Sequence, residues 1–93
     1  KWYRFYTMFE FDARISDLNK KKHGIGFLEA QALWQDERRI VIPARTIDES
    51  RSLIVGVIGD TQWSAAITYR ENRIISVRRS REGAIRLYES EGL

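Results

Sequence analysis

The sequence predicts a single α+β domain: an N-terminal strand and two helices, then an antiparallel sheet of three to four strands, then a closing helix. Three observations carry this prediction. Apolar spacing changes from helical to alternating at Arg38, short turns rich in Gly or Asn separate the alternating segments, and a helical pattern returns after Ser80. At 93 residues the chain has room for one hydrophobic core, so residues 1–93 are read as one domain with one site.

Tyr3, Phe5, Thr7, Phe9 and Phe11 share one parity and predict a first strand ending at Asp12. Met8 stands where an initiator would, so residues 1–7 are read as a candidate N-terminal extension. Asp12 is placed to N-cap a helix from Ala13 to about Lys22. Ile15 and Leu18 give that helix a thin apolar stripe, its terminal lysines complement the helix dipole, and Gly24 stops it. Phe27, Ala30, Leu33 and Trp34 then predict a second helix ending near Asp36.

From Arg38 the period is two. Ile40 and Ile42 alternate up to Pro43, the only proline, whose missing N–H suits an edge strand. Residues 44–50 read as a polar loop, and Arg51 to Ile58 as a strand with Gly56 at a candidate bulge. Gly59-Asp60 fits a type II′ hairpin leading into Thr61 through Tyr69, where Thr61, Trp63, Ala65, Ile67 and Tyr69 share a face. Arg70-Glu71-Asn72 makes a tight connection to a strand from Arg73 to Arg79. Ser80 is placed to cap a last helix carrying Ala84, Ile85, Leu87 and Tyr88, with Gly83 weakening its first turn. Trp34 and Trp63 read as core.

Composition narrows the chemistry. The chain has no cysteine, which removes disulfides, thiolate catalysis and cysteine metal sites. One histidine cannot form a His-rich centre, and the carboxylates lack ligand-loop spacing, so no metal and no cofactor are expected. There is no P-loop, no dinucleotide glycine pattern and no Gly-x-Ser-x-Gly elbow. No apolar stretch approaches the ~18–20 residues of a spanning helix, and no leader pattern is visible. The chain is read as soluble, cytoplasmic and without membrane contact.

The net charge of +3 is mild, but its distribution is uneven. Residues 1–22 carry six basic and three acidic groups, 24–69 four and six, and 70–93 six and four. Lys20, Lys21 and Lys22 run into His23, while Arg70, Arg73, Arg78, Arg79 and Arg81 crowd one stretch. Such clusters suit a phosphate backbone; they equally suit a solvated helix end and a charge-protected sheet edge. The chemistry left open by the exclusions is metal-free cleavage of RNA. RNA carries its own nucleophile in the 2′-hydroxyl, so a protein need only align it, move protons and stabilise charge on phosphorus.

The string Arg73-Ile74-Ile75-Ser76-Val77-Arg78-Arg79-Ser80, followed eight residues later by Tyr88, resembles the Arg-Ile-Ile-Ser-Ala-Arg-Arg-Ala signature of BrnT-type toxins of bacterial type II toxin–antitoxin modules. Glu10-Phe11-Asp12, Asn19 through Gly24, and Phe27, Glu29 and Ala30 are similar to further stretches of that family, as is Arg51. The likeness spans about residues 8–88. Val77, Ser80 and Ala84 depart from the family's Ala, Ala and Glu. The resemblance implies a RelE-like fold and a toxin that cleaves RNA, arrests translation and growth, and is neutralised by a ribbon-helix-helix antitoxin. The toxin–antitoxin complex would then bind its own operon DNA.

Candidate site residues follow, each with a plainer reading. Arg78 and Arg79 fit RNA phosphate contact or structural salt bridging. By alternation Arg73, Ile75, Val77 and Arg79 share one face, and Ile74, Ser76 and Arg78 the other. Lys22 fits a phosphate contact and His23 proton transfer, or both simply complement the helix end. Tyr88 fits base stacking, phosphate orientation or core packing. Arg51 and Arg73 are further RNA-binding candidates, and Glu10 fits a base or an ion pair with an arginine. A non-catalytic basic module acting by occupancy is the alternative function.

Overall fold

A computed structural model describes residues 10–44, 51–68 and 73–91. The order of elements is α1 (Ala13–His23), α2 (Phe27–Ala30) running into a 3₁₀ helix (Gln31–Gln35), β1 (Ile40–Ala44), β2 (Arg51–Ile58), β3 (Thr61–Thr68), β4 (Arg73–Arg79) and α3 (Glu82–Glu91). The strands form an antiparallel meander in the order β1-β2-β3-β4, so the α+β class read from the sequence is the class observed. The predicted first strand lies largely outside the described residues, as do residues 45–50, Tyr69 and residues 70–72. Glu10 is described: it makes a single parallel bridge to Arg73, and its carbonyl accepts from Ile74 N–H at 2.9 Å.

Asp12 caps α1 as expected, its Oδ1 accepting from Arg14 N–H at 2.8 Å and Ile15 N–H at 3.3 Å. Gly24 closes the helix at φ 87°, a left-handed conformation that favours glycine, and donates its N–H to the Lys20 carbonyl. The expected apolar stripe is not buried. Ile15 and Leu18 are 46% and 60% exposed, and the buried residues of α1 are Ser16 and Asn19. Both polar side chains are satisfied inside: Ser16 Oγ accepts from Phe27 N–H at 2.7 Å, and Asn19 bonds to Ile25 and Val77. The helix docks through hydrogen bonds to backbone, which no apolar periodicity can register.

The second predicted helix is one α-turn followed by 3₁₀ geometry. Phe27, Ala30 and Leu33 are fully buried at a spacing of three, which keeps them on one face through the α-turn and into the 3₁₀ helix. Phe27 meets Phe11 edge-on, with ring centroids 5.9 Å apart. These residues and Ile25 pack on Ile54, Trp63, Ala65, Ile67, Ile74 and Val77 of the sheet to form the core.

β1 starts at Ile40 rather than Arg38, because Asp36 caps a turn through Arg38 N–H. It is an edge strand, as Pro43 requires. Gly56 carries no bulge, since its register runs unbroken opposite Trp63. Glycine is needed there for space: a Cβ would lie 3.1 Å from Leu33 Cδ2 and 3.2 Å from Asp36 Oδ2. At the hairpin Gly59 takes a φ of 65°. The irregularity lies instead between β3 and β4, where Ala66 faces Ser76 but Ile67 faces Ile74, leaving Ile75 as the extra residue. The alternation assumed along β4 therefore breaks. Ile74 joins Val77 in the core, and Arg73 shares the opposite face with Ser76 and Arg78.

Ser80 is also corrected. It does not cap α3, whose first turn closes from Ile85 N–H to the Arg81 carbonyl; its hydroxyl bonds to Ser64 Oγ at 2.8 Å. Ser64 has opposite parity to Trp63 and Ala65, so α3 starts on the sheet face away from α1 and α2, and packs back against β2. Gly56→Ala is expected to lower stability by about 1–2 kcal/mol, because Leu33 is fully buried and Asp36 is tethered; urea denaturation measures it.

Candidate functional site: a basic corner between α1 and β4

Glu10 and Asn19 anchor the two ends of the path that α1 follows along β4, at Ile74 and Val77 respectively. α1 thus runs in the same sense as β4. Beyond the Asn19–Val77 joint, four helical residues carry the chain about 6 Å to His23. Two strand residues carry β4 about 7 Å to Arg79. Lys22 and His23 therefore arrive at the same end of the molecule as Arg78 and Arg79.

The charges at this corner are held differently. Lys20 is spent on Glu29 at 2.7 Å. The Lys20 hydrogen bond, with a second from Gly26 N–H, holds the Glu29 carboxyl below the usual carboxylate range. Lys21 and Lys22 are exposed, and among the described residues neither has a carboxylate partner. His23 is half-buried. Arg78 is exposed on one face of β4, again with no carboxylate partner among the described residues. Arg79, exposed on the other face, lies with its guanidinium carbon 5.9 Å from the centroid of Trp63, its cross-strand neighbour.

The remaining candidates lie elsewhere. Arg51 and Arg73 flank Thr68 across β2, β3 and β4, on the face that bears Arg78. Arg73 and Arg79 face Thr68 and Trp63 on β3, five strand steps or about 17 Å apart. Tyr88 sits at the Arg79 end of the sheet but toward β2, in a shallow open groove of ≈ 560 Å³. Its hydroxyl donates to Asp36 Oδ2 at 2.6 Å, the same oxygen that accepts from Val57 N–H at 2.8 Å. No described contact joins Tyr88 to Arg78, Arg79 or His23. Glu10 contributes its carbonyl to β4.

Two residues gain importance that sequence reasoning did not give them. Trp63 is the platform of Arg79, a relation visible only once the β3–β4 register is known. Asp36 ties together the 3₁₀ helix, β2 and α3. Desolvation pushes its carboxyl up, but hydrogen bonds from Tyr88, Val57 and Arg38 outweigh that and leave it below the ordinary value. The same bond to Asp36, aided by desolvation, raises the Tyr88 phenol, which stays a neutral donor. Among the described residues no group of three or more His, Asp or Glu is placed to hold a metal ion. Nor is any helix among them long and apolar enough to cross a membrane.

Fold and site together define a small α+β protein with a basic corner among its described residues. The family described as ribonuclease toxin, BrnT, of type II toxin-antitoxin system matches residues 11–83, and the chain belongs to that family. It is thus a ribonuclease toxin of a class that works with an antitoxin and acts on RNA. No curated protein matches the sequence.

Tyr88→Phe removes a hydrogen bond to a charged acceptor and is expected to cost about 1 kcal/mol at pH 7 by urea denaturation. Asp36 has a depressed folded pKa, so its contribution is present above the unfolded value and is lost as pH falls through the folded one. The difference between the two proteins should accordingly shrink below about pH 4. A difference independent of pH would show that the loss does not depend on the charge of Asp36.

Proposed function

We propose that the chain is a metal-independent endoribonuclease of RelE-like fold that cleaves RNA by attack of the 2′-hydroxyl on the adjacent phosphorus. One observation carries the reading. The corner presents two guanidiniums to solvent without a carboxylate to neutralise them, Arg78 unpaired among the described residues and Arg79 over an aromatic ring. Guanidiniums in structural salt bridges would have acidic partners; here the phosphate would be the missing partner.

In this reading Arg78 and Arg79 hold the scissile phosphate and the charge that builds on it, and Lys22 adds a third cation. His23 takes the 2′-hydroxyl proton as the new P–O2′ bond forms. The P–O5′ bond breaks, the departing O5′ takes a proton, and the products are a 2′,3′-cyclic phosphate and a 5′-hydroxyl. Arg51 and Arg73 track the RNA backbone farther along the sheet face that bears Arg78. Tyr88, with its hydroxyl on Asp36, offers its ring to a base. Loss of RNA in the cytoplasm then halts translation and growth. A ribbon-helix-helix antitoxin covers the corner, and the complex binds its operon DNA.

The test is incubation of antitoxin-free protein with total RNA in EDTA, beside an Arg78→Ala/Arg79→Ala variant, with fragments and end groups analysed. Cleavage by the parent to cyclic or 3′-phosphate ends, reduced at least ~100-fold in the variant, is the expected outcome. Equal cutting by both proteins overturns the role of these arginines, and intact RNA with both overturns direct nuclease action and favours action by occupancy.

A further inference from the structure

The strongest joint at the basic corner is made by a neutral residue. Asn19 is 7% exposed and uses both ends of its amide: Nδ2 donates to the carbonyls of Val77 and Ile25, each at 2.8 Å, and Oδ1 accepts from Val77 N–H at 3.2 Å. Val77 immediately precedes Arg78 and Arg79, Lys22 and His23 follow Asn19 within one helical turn, and Ile25 begins the chain beyond the Gly24 turn. The amide thus grips three segments where the two halves of the corner meet.

We infer that Asn19 is a positioning residue for RNA cleavage, setting the distance between the Lys22–His23 end of α1 and the Arg78–Arg79 end of β4. This rests on the ribonuclease reading above. The amide meets both outward backbone groups of Val77 as a neighbouring strand would, so it fixes α1 against β4 in position as well as in contact. Alternation sends Arg78 and Arg79 to opposite faces of β4, and only the backbone position of the strand end decides how both meet one phosphate. A displacement of about 1 Å at such a centre costs on the order of 100-fold in rate. Binding of RNA depends on the sum of several exposed cations and tolerates the same displacement.

Ser16 supplies the control. It is buried on the same helix and its hydroxyl makes a comparable bond, but to Phe27 N–H of α2 and not to β4. The experiment compares Asn19→Ala and Ser16→Ala with the parent on one RNA oligonucleotide that the parent cleaves. It measures folded fraction by circular dichroism, affinity by fluorescence anisotropy, and single-turnover rate at saturating protein per folded molecule. Asn19→Ala should lose about 100-fold in rate with affinity held within about threefold, while Ser16→Ala keeps its rate. A rate that falls only with the folded fraction, or equally in the two variants, overturns the inference, as does a parallel loss of affinity. A folded parent that cleaves no RNA overturns the ribonuclease reading and this inference together.

Discussion

α1 stays on the sheet through the amide of Asn19, and the arrangement of the basic corner depends on that bond set. β4 is an edge strand whose outward backbone groups would otherwise sit against the helix without partners, a costly arrangement for buried N–H and C=O groups. Asn19 satisfies both polar groups of Val77, and Glu10 satisfies Ile74 three residues earlier. With Ile15 and Leu18 turned to solvent, the helix contributes no apolar residue to the core. Its placement is therefore directional. Hydrogen bonds fix position to within tenths of an ångström, whereas an apolar stripe can slide, and a helix that delivers Lys22 and His23 to a site benefits from the former.

Much of the fold was legible because local chemistry and global pattern agree. Asp12 and Gly24 bound α1, Gly59 turns the hairpin, and Pro43 lies on an edge, each at a position where the residue's own backbone or capping preference decides. What was illegible is tertiary. The burial of Ser16 and Asn19 depends on acceptors and donors 11 and 58 residues away, so their polarity reads as exposure until the partners are known. The spacing of Phe27, Ala30 and Leu33 fits an α-helix and a 3₁₀ helix alike, so it does not mark where the α-turn Phe27–Ala30 gives way to the 3₁₀ helix Gln31–Gln35 that packs on β2.

The site was partly legible for the same reason. The lysines and arginines announce themselves as clusters, and the structure brings Lys22, His23, Arg78 and Arg79 to one end while leaving Arg51 and Arg73 about 17 Å along the strands. A single extra residue at Ile75 decides which face Arg73 occupies, and no sequence periodicity marks it, because Ile74 and Ile75 are chemically identical. Trp63 carries no signal of its role for a similar reason. A tryptophan in an alternating strand reads as core, and it is nearly buried; only its cross-strand position opposite Arg79 makes it a cation platform.

The choice of platform bears on the electrostatics of the corner. A carboxylate beside Arg79 would orient the guanidinium equally well, but it would cancel the charge that a phosphate must meet. An aromatic face orients the cation through its quadrupole and leaves the charge unneutralised. Several acids among the described residues are committed: Asp12 to its helix cap, Glu29 to Lys20, Asp36 to Tyr88, Val57 and Arg38, Glu82 to Arg86. A net charge of only +3 can then accompany a positive local field, because Lys21, Lys22 and Arg78 have no carboxylate partner among the described residues. The modest total and the concentrated site are thus two aspects of one arrangement, in which neutral side chains, Asn19 and Trp63, do the holding that ion pairs do elsewhere in the molecule.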